Sequence, residues 1–280
     1  MFERAWVRWS TYVAIALAFA VACGFLSHWQ FTRNADRSAQ LQLLADNYDA
    51  APVSLADAIS PAGDFDPAMQ WHPVAVRGEY LVDRQVVVRN RPHGGTSAFE
   101  VLTPLRLDDG RILVVDRGWI APAPSGDGPD AVPDPASGPV DVVVRMLPGE
   151  ALPASGRSAP AGQVPTIHLP LIAESVGAGT ITSAYGRMVS EDPAAAITPS
   201  PLDPPSEDPG PHLSYAVQWI LFAVMGFVFI GYIIRTERAH RREAAEEPAH
   251  SSGSDRTAAP ERRRDRDAQD EDELLDRIGR

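Results

Sequence analysis

No charged residue occurs between Leu213 and Ile234, a run introduced by Pro211-His212 and closed by Arg235. As a helix it is about 33 Å long, enough to cross a hydrocarbon core of about 30 Å. A helix in a water-soluble core has no need of such length without one charge, so residues 212–234 are expected to span a membrane. Pro211 suits the first helical position, where its missing N–H costs nothing. At 100° per residue His212, Tyr215 and Trp219 fall within about 60° of one another, with Gln218 beside Tyr215. An imidazole, a phenol, an amide and an indole therefore gather where this span meets the headgroups.

A second apolar run, Tyr12–Leu26, follows Arg4, Arg8 and Trp9. An uncleaved anchor, a cleaved signal peptide and a lipoprotein processed at Ala20-Val21-Ala22-Cys23 are the three readings open to it. The run continues past Cys23 through Gly24, Phe25 and Leu26, and with Val7–Ser10 it reaches about 20 residues, which favours the anchor. Arg235, Arg238, Arg241 and Arg242 crowd the exit of the other span, which the positive-inside rule places in the cytoplasm. Arg4 and Arg8 agree, while Arg33 and Arg37 weaken the asymmetry without reversing it. The expectation is a multi-pass protein of the cell membrane with both termini cytoplasmic. Its parts are a cytoplasmic start (1–11), a transmembrane helix (12–28) and a juxtamembrane helix (29–48). A β-rich extracytoplasmic domain (49–198), a proline-rich strap (199–211), the second span (212–234) and a charged disordered tail (235–280) complete it.

The formal charge of -12 argues against nucleic acid as a partner. All basic residues are arginine, and Cys23 is the single cysteine, so no internal disulfide or cysteine-based metal cluster can form. No nucleophile elbow, phosphate loop, His-Glu-x-x-His or paired-cysteine pattern is present. A binding or assembly module is expected, not an enzyme.

The outside segment reads as β. Pro73–Leu81, Gln85–Arg91, Phe99–Leu107 and Arg111–Ile120 are rich in β-branched residues, and Asp108-Asp109-Gly110 is a hairpin turn. Pro104 implies an edge or a bulge. Val140–Leu147 and Tyr185–Val189 are further strands, residues 121–139 a surface loop, and Leu169–Val176 a short helix. The fold class is thus α+β: a two-helix membrane hairpin enclosing a small barrel or curled antiparallel sheet of five to seven strands. Leu274, Leu275 and Ile278 are too few to give the tail more than a weak docking site.

Three groups of residues carry candidate chemistry. His212 at a membrane surface can be an axial ligand to haem iron, with Tyr215 and Trp219 as flat walls for a porphyrin; it can equally be a polar helix start bonded to the β domain. Trp29, Gln30, Arg33 and Arg37 share one side of a continued first helix and meet the same leaflet, either as a binding face or as an interfacial belt. Arg89, Arg91 and Arg117 could pair with carboxylates such as haem propionates or with lipid phosphates, or could form a solvated face paired with Asp83 or Glu100. Strand alternation would put Arg89 and Arg91 on one face and Asn90 on the other.

Three blocks in order, Trp29-Gln30-x-x-Arg33, Val101-Leu-Thr-Pro104 with Asp116-Arg117-Gly118-Trp119, and His212-x-x-Tyr215-Ala-x-Gln218-Trp219, resemble the SURF1 family, here of actinobacterial type. The two-span layout around a β-rich domain is also that family's. Arg37 stands where the family often has lysine, Asp116 where it usually has asparagine, and Pro211 where asparagine often precedes the histidine. The resemblance implies help in assembling an aa3-type cytochrome c oxidase, by inserting haem a into the catalytic subunit or stabilising that subunit. Subunit I, other oxidase subunits, the haem a synthesis machinery and the lipid bilayer would then be partners. His212 would be the haem-iron ligand, with Tyr215, Gln218, Trp219, Trp29, Gln30, Arg33 and Arg117 around a transiently held haem a; His28 reads better as an interfacial residue. The alternative is a structural membrane scaffold that binds oxidase subunits without handling haem.

Overall fold

The computed structural model describes residues 2–93, 95–124, 128–129, 131–156 and 159–246. The tail beyond 246, with Leu274, Leu275 and Ile278, lies outside the described residues. Two helices, Trp6–Asn47 and His212–Arg242, are long and apolar enough to cross a membrane, which fits a protein with two spans. The first is one helix, α1 (Phe2–Asn47), which runs through both the apolar segment and the juxtamembrane segment as a continued helix. From Ser27 to Asn47 there is neither glycine nor proline to interrupt it, and Pro52 follows soon after its end.

The described residues form two compact units, 2–25 with 218–246 in one and 26–217 in the other. In the first, Phe19 packs so closely on Gly226 that a Cβ there would lie 3.1 Å from its ring. Trp9 donates Nε1–H to Glu237 at 2.8 Å, and Phe25, Val228 and Phe229 point outward, more than 60% exposed. Apolar side chains on the outside suit hydrocarbon surroundings and not water. The C-terminal helix of the chain runs to Glu246, twelve residues past the expected limit of 234. Disorder was expected from 235 because of the charges, but Thr236–Glu246 holds good helix formers and no glycine or proline, with Pro248 beyond.

The second unit is built on an eight-stranded sheet. Its strands are β1 (Val53–Ser54), β2 (Pro73–Tyr80), β3 (Val86–His93), β4 (Thr96–Leu107), β5 (Ile112–Ile120), β6 (Pro139–Pro148), β7 (Gln163–Val164) and β8 (Ala184–Asp192). The order is β1-β2-β6-β8-β5-β4-β3-β7, and β2 also pairs with β4, so the sheet is strongly curled. The expectation of an antiparallel sheet is corrected: β1–β2, β3–β7 and β5–β8 are parallel. The Asp108-Asp109-Gly110 hairpin joins β4 to β5, with Gly110 at φ 86.

Pro104 occupies neither an edge nor the β4 bulge, which lies between Glu100 and Leu102. It is buried opposite Val114 where β4 exchanges one neighbour for another. Up to Leu102 that neighbour is β3, and from Leu105 it is β2. At the changeover the carbonyl of Pro104 accepts the N–H of Leu81, and no ladder requires the donor that proline lacks.

Leu105, Leu113, Val115, Val142, Val144 and Met146 form the main core inside the curl. The short helices α2 (Leu55–Ala58) and α3 (Leu169–Val176) close its flanks. The α3 bounds agree with the sequence expectation; it buries Leu169, Ile172 and Val176 against Leu147 and Tyr185. The long C-terminal helix, α4 (His212–Glu246), follows the proline-rich strap.

Candidate functional site

Three polar residues of α1, each a turn or two from the last, meet the start of α4 and the strap before it. Ser27 donates its hydroxyl to the carbonyl of Ala216 at 2.9 Å, with both residues buried. One turn on, Gln30 Oε1 lies 3.0 Å from His212 Nδ1. Two turns further, the Arg37 guanidinium donates to the carbonyls of Ser206 at 2.7 Å and Asp208 at 2.8 Å. Residues 27, 30 and 37 thus meet 216, 212 and 208 in descending order, the pattern of antiparallel segments. Ala216 is fully buried, and its small side chain permits the close approach.

The turn before α4 is set by its sequence. Gly210 has φ 72 and donates its N–H to Asp208 Oδ1, and the N–H of Tyr215 bonds to the carbonyl of Pro211 at 3.1 Å. His212 follows immediately. An amide oxygen can only accept, so in this contact Nδ1–H is the donor, and the tautomer that serves it has its lone pair on Nε2. A Cβ at position 210 would lie 3.8 Å from Nε2, so glycine leaves that edge of the ring uncovered. Among the described residues Nε2 has no hydrogen-bond partner. An imidazole fixed through Nδ1–H with Nε2 open is the arrangement that iron ligation uses, so this donor fits a haem iron.

Exposed aromatic residues neighbour Gln30 and His212 along the two helices. Trp29 is 52% and Tyr215 47% exposed, and the Arg33 guanidinium sits 5.8 Å from the Trp29 ring centre. Further along α4, Trp219 packs edge-on to Phe222 at 5.7 Å, and Gln218 is exposed. The structure therefore joins Gln30 to His212 and Arg33 to Trp29.

It does not bring Arg117 to them. The Arg117 side chain is 1% exposed in the β domain, donating to the carbonyls of Pro133 and Asp134, 3.9 Å from Glu191 and over the Tyr80 ring. Burial lowers its pKa against the pull of Glu191, and the phenol of Tyr80 is pushed up, first by burial and then by Glu191. Nor do the three arginines share a face. Asn90 takes φ 60 within a break of register between Val88 and Arg91, so strict alternation fails there. Arg91 turns into a polar cleft and pairs with Glu100 and Glu150, each at 2.6 Å; of the carboxylates expected as partners, Glu100 is the one used.

That cleft, of about 320 Å³, was not foreseen as a unit. Asp116, the neighbour of Arg117 on β5, points to the opposite side and is 2% exposed. Burial, then repulsion from Glu100, holds its carboxyl well above the usual range, although the N–H of Gly118 bonds to it at 3.2 Å. Burial also pushes on Glu150, but bonds from Thr166, Arg91 and the N–H of Ile167 outweigh this and lower its pKa. His93 stacks on Trp119 at 5.2 Å and reaches Glu100 at 3.3 Å. The strap closes the cleft with Leu202 and Asp203: Trp119 exchanges backbone bonds with Ser200 and donates its indole N–H to Pro201, and Arg187 bonds the carbonyl of Asp203. The only sequence signals for it were Asp116 in a run otherwise apolar and the Asp116–Trp119 block itself.

Comparison with known proteins agrees with the motif reading. The model of the SURF1 family matches residues 17–224. SURF1-like proteins of Mycobacterium tuberculosis and Mycobacterium bovis are each 32% identical over 247 residues, covering 86% of this chain and 89% of theirs. A SURF1-like protein of Dictyostelium discoideum is 26% identical over 115 residues, 39% of this chain and 42% of its own.

Proposed function

The chain belongs to the SURF1 family, and from that premise we propose that it is an assembly factor, not an enzyme, that helps haem a enter the catalytic subunit of an aa3-type cytochrome c oxidase. One observation carries this reading: Gln30 fixes the Nδ1–H of His212 and so turns a bare Nε2 outward beside Gly210. Haem a offers an iron that takes a fifth ligand, an apolar ring and two acidic edges. His212 would hold the iron, while Tyr215 and Trp29 supply flat apolar surface and Arg33 a cation for a propionate; Gln218 and Trp219 continue the same helix towards lipid. A single partly exposed imidazole gives the moderate affinity that a carrier needs in order to release its load. Subunit I would be the recipient, with other oxidase subunits and the haem a synthesis machinery as further contacts. On this reading the β domain faces outward from the cell membrane and both termini lie in the cytoplasm, as the arginine-rich ends of the helices favour.

The test is purification from cells that make haem a, comparing wild type with His212→Ala. The wild type is expected to carry a haem a absorption band that the variant lacks. Equal haem in both removes His212 from the mechanism. Unchanged capture of oxidase subunits by both proteins, without haem in either, would leave the family member as a structural scaffold.

A further inference from the structure

A second concentration of donors lies at the other end of the two long helices, on residues that the haem reading does not use. Glu237 is its centre. Its carboxylate receives the Trp9 indole N–H at 2.8 Å, the Arg241 guanidinium at 2.8 Å and an ion pair from Arg8. Arg238 lies over the Trp9 ring at 4.8 Å and Arg241 at 5.8 Å. One carboxylate thus fixes two guanidinium groups in place, and neither an indole nor a phenol cancels the remaining charge. Each guanidinium carries five donors and spends few of them here. The side chains of Arg8 and Arg241 remain 48% and 45% exposed.

These residues border an open groove of about 580 Å³ whose wall changes character along its length. Arg8, Arg241, Thr236 and His240 make one end polar, while Tyr12, Tyr232 and Ile233 lead into the outward apolar faces of the helices. A water-soluble anion would match only the polar end. A molecule with a phosphate at one end and hydrocarbon at the other matches both. We propose that this groove is a binding site for one anionic glycerophospholipid, its phosphate bridging Arg8 and Arg241 and its acyl chains lying along the helices past Tyr12 and Ile233. Glu237 acts as the template that sets the spacing of the two arginines. The site is independent of haem binding.

The experiment uses the full chain purified in non-ionic detergent, with native mass spectrometry to count retained lipid at increasing phosphatidylglycerol or phosphatidylcholine. Wild type is expected to retain one phosphatidylglycerol about tenfold more tightly than phosphatidylcholine, the difference that one or two charge-assisted contacts supply. Arg8→Gln/Arg241→Gln should abolish that preference. Arg235→Gln/Arg242→Gln removes the same charge outside the groove and should keep it. Equal loss in both double variants would overturn the proposal in favour of diffuse surface charge, and equal retention of the two lipids by wild type would overturn it outright. Displacement of the retained lipid by excess inorganic phosphate would show that the arginines bind the free anion and not a lipid. Matching helical circular dichroism in all three proteins separates loss of the site from loss of the fold.

Discussion

Gln30 and His212, 182 positions apart in the chain, meet through a single 3.0 Å contact that decides which nitrogen of the imidazole is bare. Gln30→Leu leaves the helix intact and removes only the acceptor. The ring is then free to turn and to change tautomer, so haem a retained on purification should fall below wild type without reaching the His212→Ala level. The lost neutral hydrogen bond should cost about 1 kcal/mol in detergent unfolding. If Gln30→Leu retains as much haem a as wild type, Nδ1 anchoring has no part in ligation.

Asp116 gives a pH-dependent prediction. Its folded pKa is raised, so between the unfolded value near 3.8 and the folded one the native state holds a proton that the unfolded chain has lost. Stability from this group therefore falls as pH rises through that interval, and above it the whole penalty remains. Asparagine keeps an oxygen for the N–H of Gly118 and has nothing to ionise. Asp116→Asn should raise the unfolding midpoint at pH 7 to 8 and change it little near pH 4. A midpoint gain of equal size at both pH values would contradict the assignment.

Arg117 offers the opposite case, a cation that the core requires. Its removal strands Glu191 in a buried site and leaves the carbonyls of Pro133 and Asp134 without their donor. Arg117→Ala should cost about 3–5 kcal/mol, as breaking one side of a buried pair does. Arg117→Met with Glu191→Gln should recover a good part of it. Chemical denaturation of both variants checks the order.

Gly118 should tolerate no side chain. It has φ 127, and a Cβ there would lie 2.3 Å from the carbonyl oxygen of Ser200. Gly118→Ala therefore strains the backbone by about 1–3 kcal/mol and pushes the strap from β5, breaking the Trp119–Ser200 pair of bonds. The expected readout is faster proteolysis within residues 199–211, with the β core still resistant; an unchanged cleavage rate would mean that the strap is held elsewhere.

What could be read from the sequence follows the range of the forces involved. The long apolar helix from His212, the hairpin at Asp108–Gly110 and the α3 helix announce themselves through local pattern; the first begins, and the other two lie, where expected. β1 and β7 are two residues long and pair in parallel with strands far along the chain, so they leave no period to detect. Arg89, Arg91 and Arg117 looked alike by composition; a positive φ at Asn90 and the alternation between Asp116 and Arg117 part them. The Trp29–Arg33 and His212–Trp219 blocks were visible as motifs. The contact between Gln30 and His212 needed the two helix ends to be placed side by side.

The position of Pro104 bears on how the sheet finds its alignment. β4 must match β5 along one side and two successive partners along the other. A slip of a single residue towards either end would carry the proline out of the one gap where no N–H is wanted and turn buried side chains to the wrong surface. An alignment of β4 slipped against β3 and β2 is thus disfavoured, and a residue usually counted as a strand breaker helps to fix the register of this one.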